Sequence, residues 1–272
     1  MSDITQRDGE RLIAENIDTK GEYLAFLKHL FAYDYLKEFS RTDGKALEVG
    51  FGSGYGTEYA SRFFQKVDAV EVDKEAIDYA NRKYQLSNVT FQNYDGSRLP
   101  FSDNNFDVVY SFQVIEHVPF DKEFLLEAKR VLRPGGKLII TTPNRLYRLK
   151  DGQKPLNRFH LREYSPSQLK QLLTSCFDQF ILQGVKGVGE VHQYEIDRVK
   201  KGLGKWDPFR IRDHIPENLK KPLRNVINSL RGKYNHNLEK DLSFKDKYSL
   251  KDYYIEKDDI NSTLDLMAIC SK

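Results

Sequence analysis

The chain has 272 residues, 39% hydrophobic and 31% charged, with 17 Gly and 9 Pro, which suits one large or two small soluble domains. The apolar share excludes a disordered chain, and glycine plus proline are too few for a fibrous or low-complexity one. The formal charge of +3 is uneven: residues 191–272 hold 17 Lys/Arg against 13 Asp/Glu, with the basic excess between Arg198 and Lys233, where it can attract phosphates or an anionic surface.

Residues 1–16 lack an apolar signal core, and the longest aliphatic runs, at 124–126 and 138–140, are far below spanning length. A cytoplasmic protein with no transmembrane segment is expected. Cys176 and Cys270 stand far apart with no CxxC neighbourhood, so neither a disulfide framework nor a zinc cluster is indicated.

Residues 20–39 place Leu24, Leu27, Phe31 and Tyr35 at helical spacing, which predicts an amphipathic helix within an N-terminal cap over residues 1–44. From Lys45 strands and helices alternate, the pattern of a parallel sheet covered on both faces, and residues 45–190 form the expected core. Arg133-Pro134-Gly135-Gly136 turns a helix into the strand KLIITT, and Ser165, Pro166 and Gln168 supply a capping box and first-turn proline for the next helix. Phe177 to Gln183 and Leu264 to Cys270 read as the last two strands. Between them, residues 191–250 read as a basic helical insertion, with Trp206 and an apolar row of Leu219, Leu223, Val226, Ile227 and Leu230, and residues 251–272 return the chain to the core.

The sharpest local signal is LEVGFGSGYG, residues 47–56, because glycines between a strand and a helix let the backbone turn tightly and approach a ligand. Dinucleotides and S-adenosylmethionine both use such a turn. The spacing G-x-G-x-x-G fails here: counted from Gly50 the third glycine position holds Tyr55, and counted from Gly52 it holds Thr57. Glu48, two residues before Gly50, repels a pyrophosphate and attracts an ammonium or sulfonium cation. Gly50, Gly52 and Gly54 therefore read as the cradle of a cationic cofactor. The second strand ends in Asp73, where a carboxylate can accept from both hydroxyls of a ribose, with Glu71 the alternative. The third ends in Tyr94-Asp95-Gly96, where Asp95 can accept from an adenine amine beside Leu99, Pro100 and Phe101.

These segments, with FDVVYSFQVIEHV and FLLEAKRVLRPGGKLIITTPN, resemble the class I S-adenosylmethionine-dependent methyltransferases across residues 45–144. The resemblance implies an α/β, Rossmann-like, seven-stranded and mostly parallel sheet with a reversed last strand. It also implies S-adenosyl-L-methionine across the ends of strands one to four, and Gln113 or Phe112 near its methionine part. The usual G-x-D of the second strand reads Glu71-Val72-Asp73 here. NRFHLREYSPSQLKQLL and STLDLMAICSK are similar to small-molecule methyltransferases of glycan and secondary-metabolite pathways.

Methyl transfer from a sulfonium is an in-line displacement that needs alignment, exclusion of water and a base for a hydroxyl acceptor. His117, directly after Glu116 behind the fourth strand, and His160, in the loop before the capped helix, are the candidate bases. Ser111-Phe112-Gln113-Val114 stands where amide or adenine-amine methylation needs N/D-P-P-Y/F, and no cysteine follows strand four, which leaves O-methylation of a small molecule such as a sugar or glycan precursor. His29, His192, His214 and His236 lack metal-ligand spacing, so no metal is expected. Lys220, Lys221, Arg224 and Arg231 suit an anionic substrate or a peripheral membrane contact, whereas no nucleic-acid-binding motif is visible. The rival readings are a nicotinamide-dependent oxidoreductase and a non-catalytic cofactor-binding protein.

Overall fold

Near-continuous buried runs in the central strands, whose successive side chains point to opposite faces, build a sheet covered on both sides. The computed structural model describes residues 14, 17–149, 152–155, 157, 159–204 and 242–272. The expected apolar row at 219–230, together with Trp206, His214, His236, Lys220, Lys221, Arg224 and Arg231, lies outside them.

Helix α1 (Lys20–Tyr35) precedes β1 (Arg41–Val49), α2 (Tyr55–Ala60), β2 (Phe64–Glu71), α3 (Lys74–Lys83), β3 (Val89–Asn93) and β4 (Phe106–Phe112). Then come α4 (Asp121–Val131), β5 (Leu132–Pro143), α5 (Arg145–Arg148), α6 (Pro166–Thr174), β6 (Gln179–Gly187) and α7 (Gly189–Gly204). A one-turn α8 (Phe244–Lys247), β7 (Tyr253–Glu256) and β8 (Asp265–Ser271) complete the described chain.

The sheet order is β3-β2-β1-β4-β5-β8-β6-β7. Strands β1 to β5 pair in parallel, β8 runs antiparallel to both β5 and β6, and β7 runs antiparallel to β6. The α/β, mostly parallel architecture is as the sequence implies, but the sheet has eight strands instead of seven. The unforeseen one, Tyr253–Glu256, pairs with Gly184–Gly187 at the sheet edge. Four residues flanked by Lys251, Asp252, Lys257 and Asp258 are too short and too polar in context to announce a strand, and only the neighbouring β6 supplies its hydrogen bonds.

Alternation sorts the core into two layers. Val109, Leu138, Ile140, Leu266 and Ala268 face α4 and α6, whereas Val108, Tyr110, Ile139, Met267 and Ile269 face the layer containing α1. Helix α1 buries Leu24 and Leu27 there and is started by a capping box between Thr19 and Glu22. Its Lys28 reaches Asp265 of β8 at 2.9 Å, with both side chains almost fully enclosed. Ser165 and Gln168 form the reciprocal cap of α6. No helix among the described residues is long and apolar enough to cross a membrane. The strand order reverses on either side of β1, and ligands of such sheets lie in the crevice beyond the carboxyl ends there.

Candidate active site

Val49 ends β1, and the chain turns at once through Gly50, whose φ of +83° is a left-handed conformation suited to glycine. A side chain at Gly50 would also place its Cβ 2.5 Å from Val114 Cγ2, so the loop lies directly against the segment that follows β4. At Gly56 an added Cβ would fall 1.9 Å from Tyr33 Cζ, which is why α1 can press its aromatic ring onto α2.

Tyr33 leads to Glu48. The Tyr33 hydroxyl donates to Glu48 Oε1 at 2.7 Å, while Thr57 and Tyr110 donate to Oε2 at 2.6 and 3.2 Å. The carboxyl is buried, and that burial pushes its pKa up to about 7 despite the three hydroxyls, which pull it down. Both carboxylate oxygens thus already accept from side-chain hydroxyls. Its oxygens tie α1, α2 and β4 to β1.

The acids at the ends of β2 and β3 divide the roles differently from the sequence reading. Strand β2 ends at Glu71, whose Oε2 accepts from Gly52 N at 3.0 Å and whose Oε1 accepts from Val72 N and Asp73 N. Asp73 lies beyond the strand as the N-cap of α3, accepting from Glu75 N at 2.9 Å. Glu71 therefore holds the strand-end position beside the glycine turn, and Asp73 a helix-cap position two residues on, two places that look alike in sequence. Asp95 Oδ1 accepts from the amide and hydroxyl of Ser97 and the amide of Arg98, and the Ser97 hydroxyl leads in holding its carboxyl below the usual range. Gly96 follows with φ +83°.

Phe112 and Gln113 part company at the end of β4. Phe112 is buried edge-on against Tyr33, with centroids 4.9 Å apart, so it belongs to the aromatic layer under α1. Gln113 has φ +57°, rare for a residue with a side chain, and its Nε2 donates to Asp265 Oδ2 at 3.1 Å and Thr141 Oγ1 at 3.3 Å. Asp265 thus joins Lys28 of α1 to the turn after β4.

His117 and His160, 43 positions apart in the chain, stand edge to face with ring centroids 4.7 Å apart. Leu161 N and Arg162 N both reach the carbonyl of Glu116, and the Arg162 guanidinium donates to the carbonyls of Val118 and Pro119, pinning the loop onto the segment after β4. His117 Nδ1 meets Phe159 O at 3.0 Å, and His160 Nδ1 meets Glu163 Oε1 at 2.9 Å. Glu163 is in turn held by Arg148 Nε at 3.1 and 3.2 Å. Burial first, then the neighbouring His160, lowers the pKa of His117. Glu116 is fully buried and accepts from Thr142 Oγ1 at 3.0 Å, and its pKa is pushed up to about 8 by desolvation. The sequence placed Glu116 and Glu163 near the histidines without giving either a role; the three-residue spacing of His160 and Glu163 was the available signal. Both cysteines are buried, and burial raises the Cys270 thiol to about 12, consistent with a packing role.

The sheet order, with a glycine turn after β1, is an α/β, Rossmann-like arrangement, and residues 47–140 match the family model described as a methyltransferase domain. The chain is 35% identical over 152 residues to a protein of Mycolicibacterium smegmatis named a probable S-adenosylmethionine-dependent methyltransferase, covering 56% of this chain and 58% of that one. It is 27% identical over 161 residues to the fatty-acid O-methyltransferase of the same organism, covering 58% and 56%. The chain thus spans a little over half the length of these relatives. Among solved structures, the cyclase SpnF aligns with a TM-score of 0.55 at 19% identity, covering 88% of this chain and 79% of that one, a likeness of fold alone. S-adenosylmethionine is the cofactor named for the first of these relatives. The residues present fit it: Gly50, Gly52 and Gly54, all with positive φ, turn the chain tightly after β1, and Glu71 presents a strand-end carboxylate beside that turn.

Proposed function

We propose that the chain transfers a methyl group to an oxygen of a small molecule, with cofactor and acceptor meeting between the Gly50 turn and the His117–His160 pair. The observation that carries this reading is that pair, set with buried Glu116 in the segment after β4, where His117 N donates to Val114 O at 2.8 Å and the Val114 side chain lies against Gly50. Gly50, Gly52 and Gly54 would cradle the cofactor, Glu71 would accept its ribose hydroxyls in place of the loop amides it now receives, and Asp95 with Gly96 would border the adenine. Bound, the cofactor supplies an electrophilic methyl whose C–S bonding pair leaves with sulfur. The acceptor oxygen forms the new C–O bond and gives up its proton at the imidazole pair, where Glu163 fixes the ring of His160. Gln113, oriented by Asp265 and Thr141, lines the turn between the two halves.

An oxygen acceptor is supported by the imidazole pair and by the name of the fatty-acid O-methyltransferase relative. A sugar or glycan precursor is carried by the sequence resemblance alone, and an anionic acceptor by the basic stretch after Arg198. Calorimetry with S-adenosyl-L-methionine should give one site per chain, and labelled methyl transfer should follow in a panel of hydroxylated sugars, fatty acids and phenols. Glu71→Ala should weaken the cofactor roughly tenfold to a hundredfold, since each charged hydrogen bond contributes about 1.5–3 kcal/mol. No heat at millimolar cofactor would defeat the assignment. Cofactor binding with no turnover on any acceptor would favour the non-catalytic rival.

A further inference from the structure

We infer that Glu116, His117 and His160 form a site for one divalent transition-metal cation of the zinc, cobalt, manganese or iron(II) class. One ligand atom from each of the three side chains lies within 4.8 Å of the other two. No run of sequence shows this grouping, because the loop carrying His160 returns from beyond β5, and the expected absence of metal rested on local spacing alone.

Three features argue for a cation in preference to a chance cluster. Glu116 Oε1 is buried with no hydrogen-bond partner among the described residues, although Oε2 has Thr142; an enclosed acceptor without a donor is costly. Each imidazole also has a fixed tautomer. The partners of both Nδ1 atoms, Phe159 O and the Glu163 carboxylate, can only accept, so Nδ1 carries a proton and the lone pair of the neutral form lies on Nε2. A neutral imidazole whose other nitrogen donates to a carbonyl or carboxylate is the usual state of a metal-ligating histidine. Finally, the carboxylate that orients His160 is itself fixed by Arg148, so the supporting layer is already built.

Two imidazoles and one carboxylate suit borderline transition cations and not magnesium or calcium, which prefer all-oxygen sets. With both Nε2 lone pairs on the cation the imidazoles no longer take the acceptor's proton; three protein ligands leave open positions, and an acceptor hydroxyl held in one of them would ionise at lower pH and lose its proton to solvent instead. The role for an acceptor hydroxyl rests on the methyl-transfer reading; the existence of the site does not.

The test uses the full chain stripped with a chelator and titrated with Co2+, followed by its visible absorption bands, then with Zn2+ in competition and Mg2+ as control. One tight Co2+ per chain, displaced by Zn2+ and indifferent to Mg2+, is expected. Glu116→Gln, His117→Ala and His160→Ala should each abolish the bands, and Glu163→Gln, which touches no ion, should weaken binding roughly tenfold to a hundredfold. Calorimetry with S-adenosyl-L-methionine on the same samples should give unchanged affinity, which shows that the variants are folded. Absent or substoichiometric Co2+ in the unaltered chain, or bands that survive all three ligand variants, overturns the site and leaves a protonated Glu116 held only by hydrogen bonds. Co2+ binding without any cofactor heat leaves the metal site standing and removes the methyl-transfer reading instead.

Discussion

The crevice beyond β1 to β3 is built largely from backbone. Its glycine turn is fixed by φ angles, and the Glu71 carboxylate is held by three main-chain amides. The cluster beyond β4 is built from side chains: two histidines, two buried glutamates and an arginine, drawn together by a loop that returns after β5. A backbone site tolerates varied side chains around it but no new Cβ inside it. A side-chain site depends on every partner in its chain of hydrogen bonds. The first half is therefore suited to a constant ligand, and the second to a chemistry that can be changed residue by residue.

The most damaging single change to the backbone half is Gly50→Ala. It adds about 1–2 kcal/mol of left-handed strain as well as the collision with Val114, and we expect it to abolish cofactor binding by calorimetry. Next in size is Glu48→Gln. A carboxyl raised from 4.5 to about 7 on folding keeps a proton that the unfolded chain releases, so stability is full below 4.5 and falls as pH rises through about 7. The loss amounts to about 3 kcal/mol, and denaturant unfolding at pH 5 and pH 8 should show a drop smaller by about that amount in Glu48→Gln than in the unaltered chain, the remainder coming from Glu116, whose carboxyl is raised in the same direction. In the side-chain half, Glu163→Gln should lower turnover by roughly a hundredfold while cofactor affinity stays within error. Equal losses in both would mean that the halves are not separable. The smallest effect is expected from Asp73→Ala, about 1 kcal/mol of stability as a lost helix cap, with cofactor affinity unchanged. A large affinity loss would restore Asp73 as the ribose acid.

The same contrast explains what could be read in advance. The glycine turn, the alternating strands and the cap at Ser165 are local, and local spacing announced them. Which of Glu71 and Asp73 ends the strand turned on where β2 stops, a boundary set by pairing with β3 out to Asn93 and invisible in a run of alternating acids. Glu48 looked open because its neighbours in sequence are apolar. Its hydroxyl partners come from Tyr33, Thr57 and Tyr110, two of them far away in the chain. The meeting of His117 with His160 depends on Arg162 clamping its loop to the Val118 and Pro119 carbonyls, a long-range contact that no periodicity encodes.

The eighth strand has a further consequence. Without Tyr253–Glu256, the outer side of β6 would offer the amides and carbonyls of Gly184–Gly187 to any extended chain nearby. With it, that rim of the sheet ends in four residues closed by Glu256, which accepts from the amides of Asp258 and Asp259 and bends the chain away. At the opposite rim β3 is only five residues long. Both margins are thus short and one is blunted by charge, the arrangement by which natural sheets resist stacking edge to edge into aggregates.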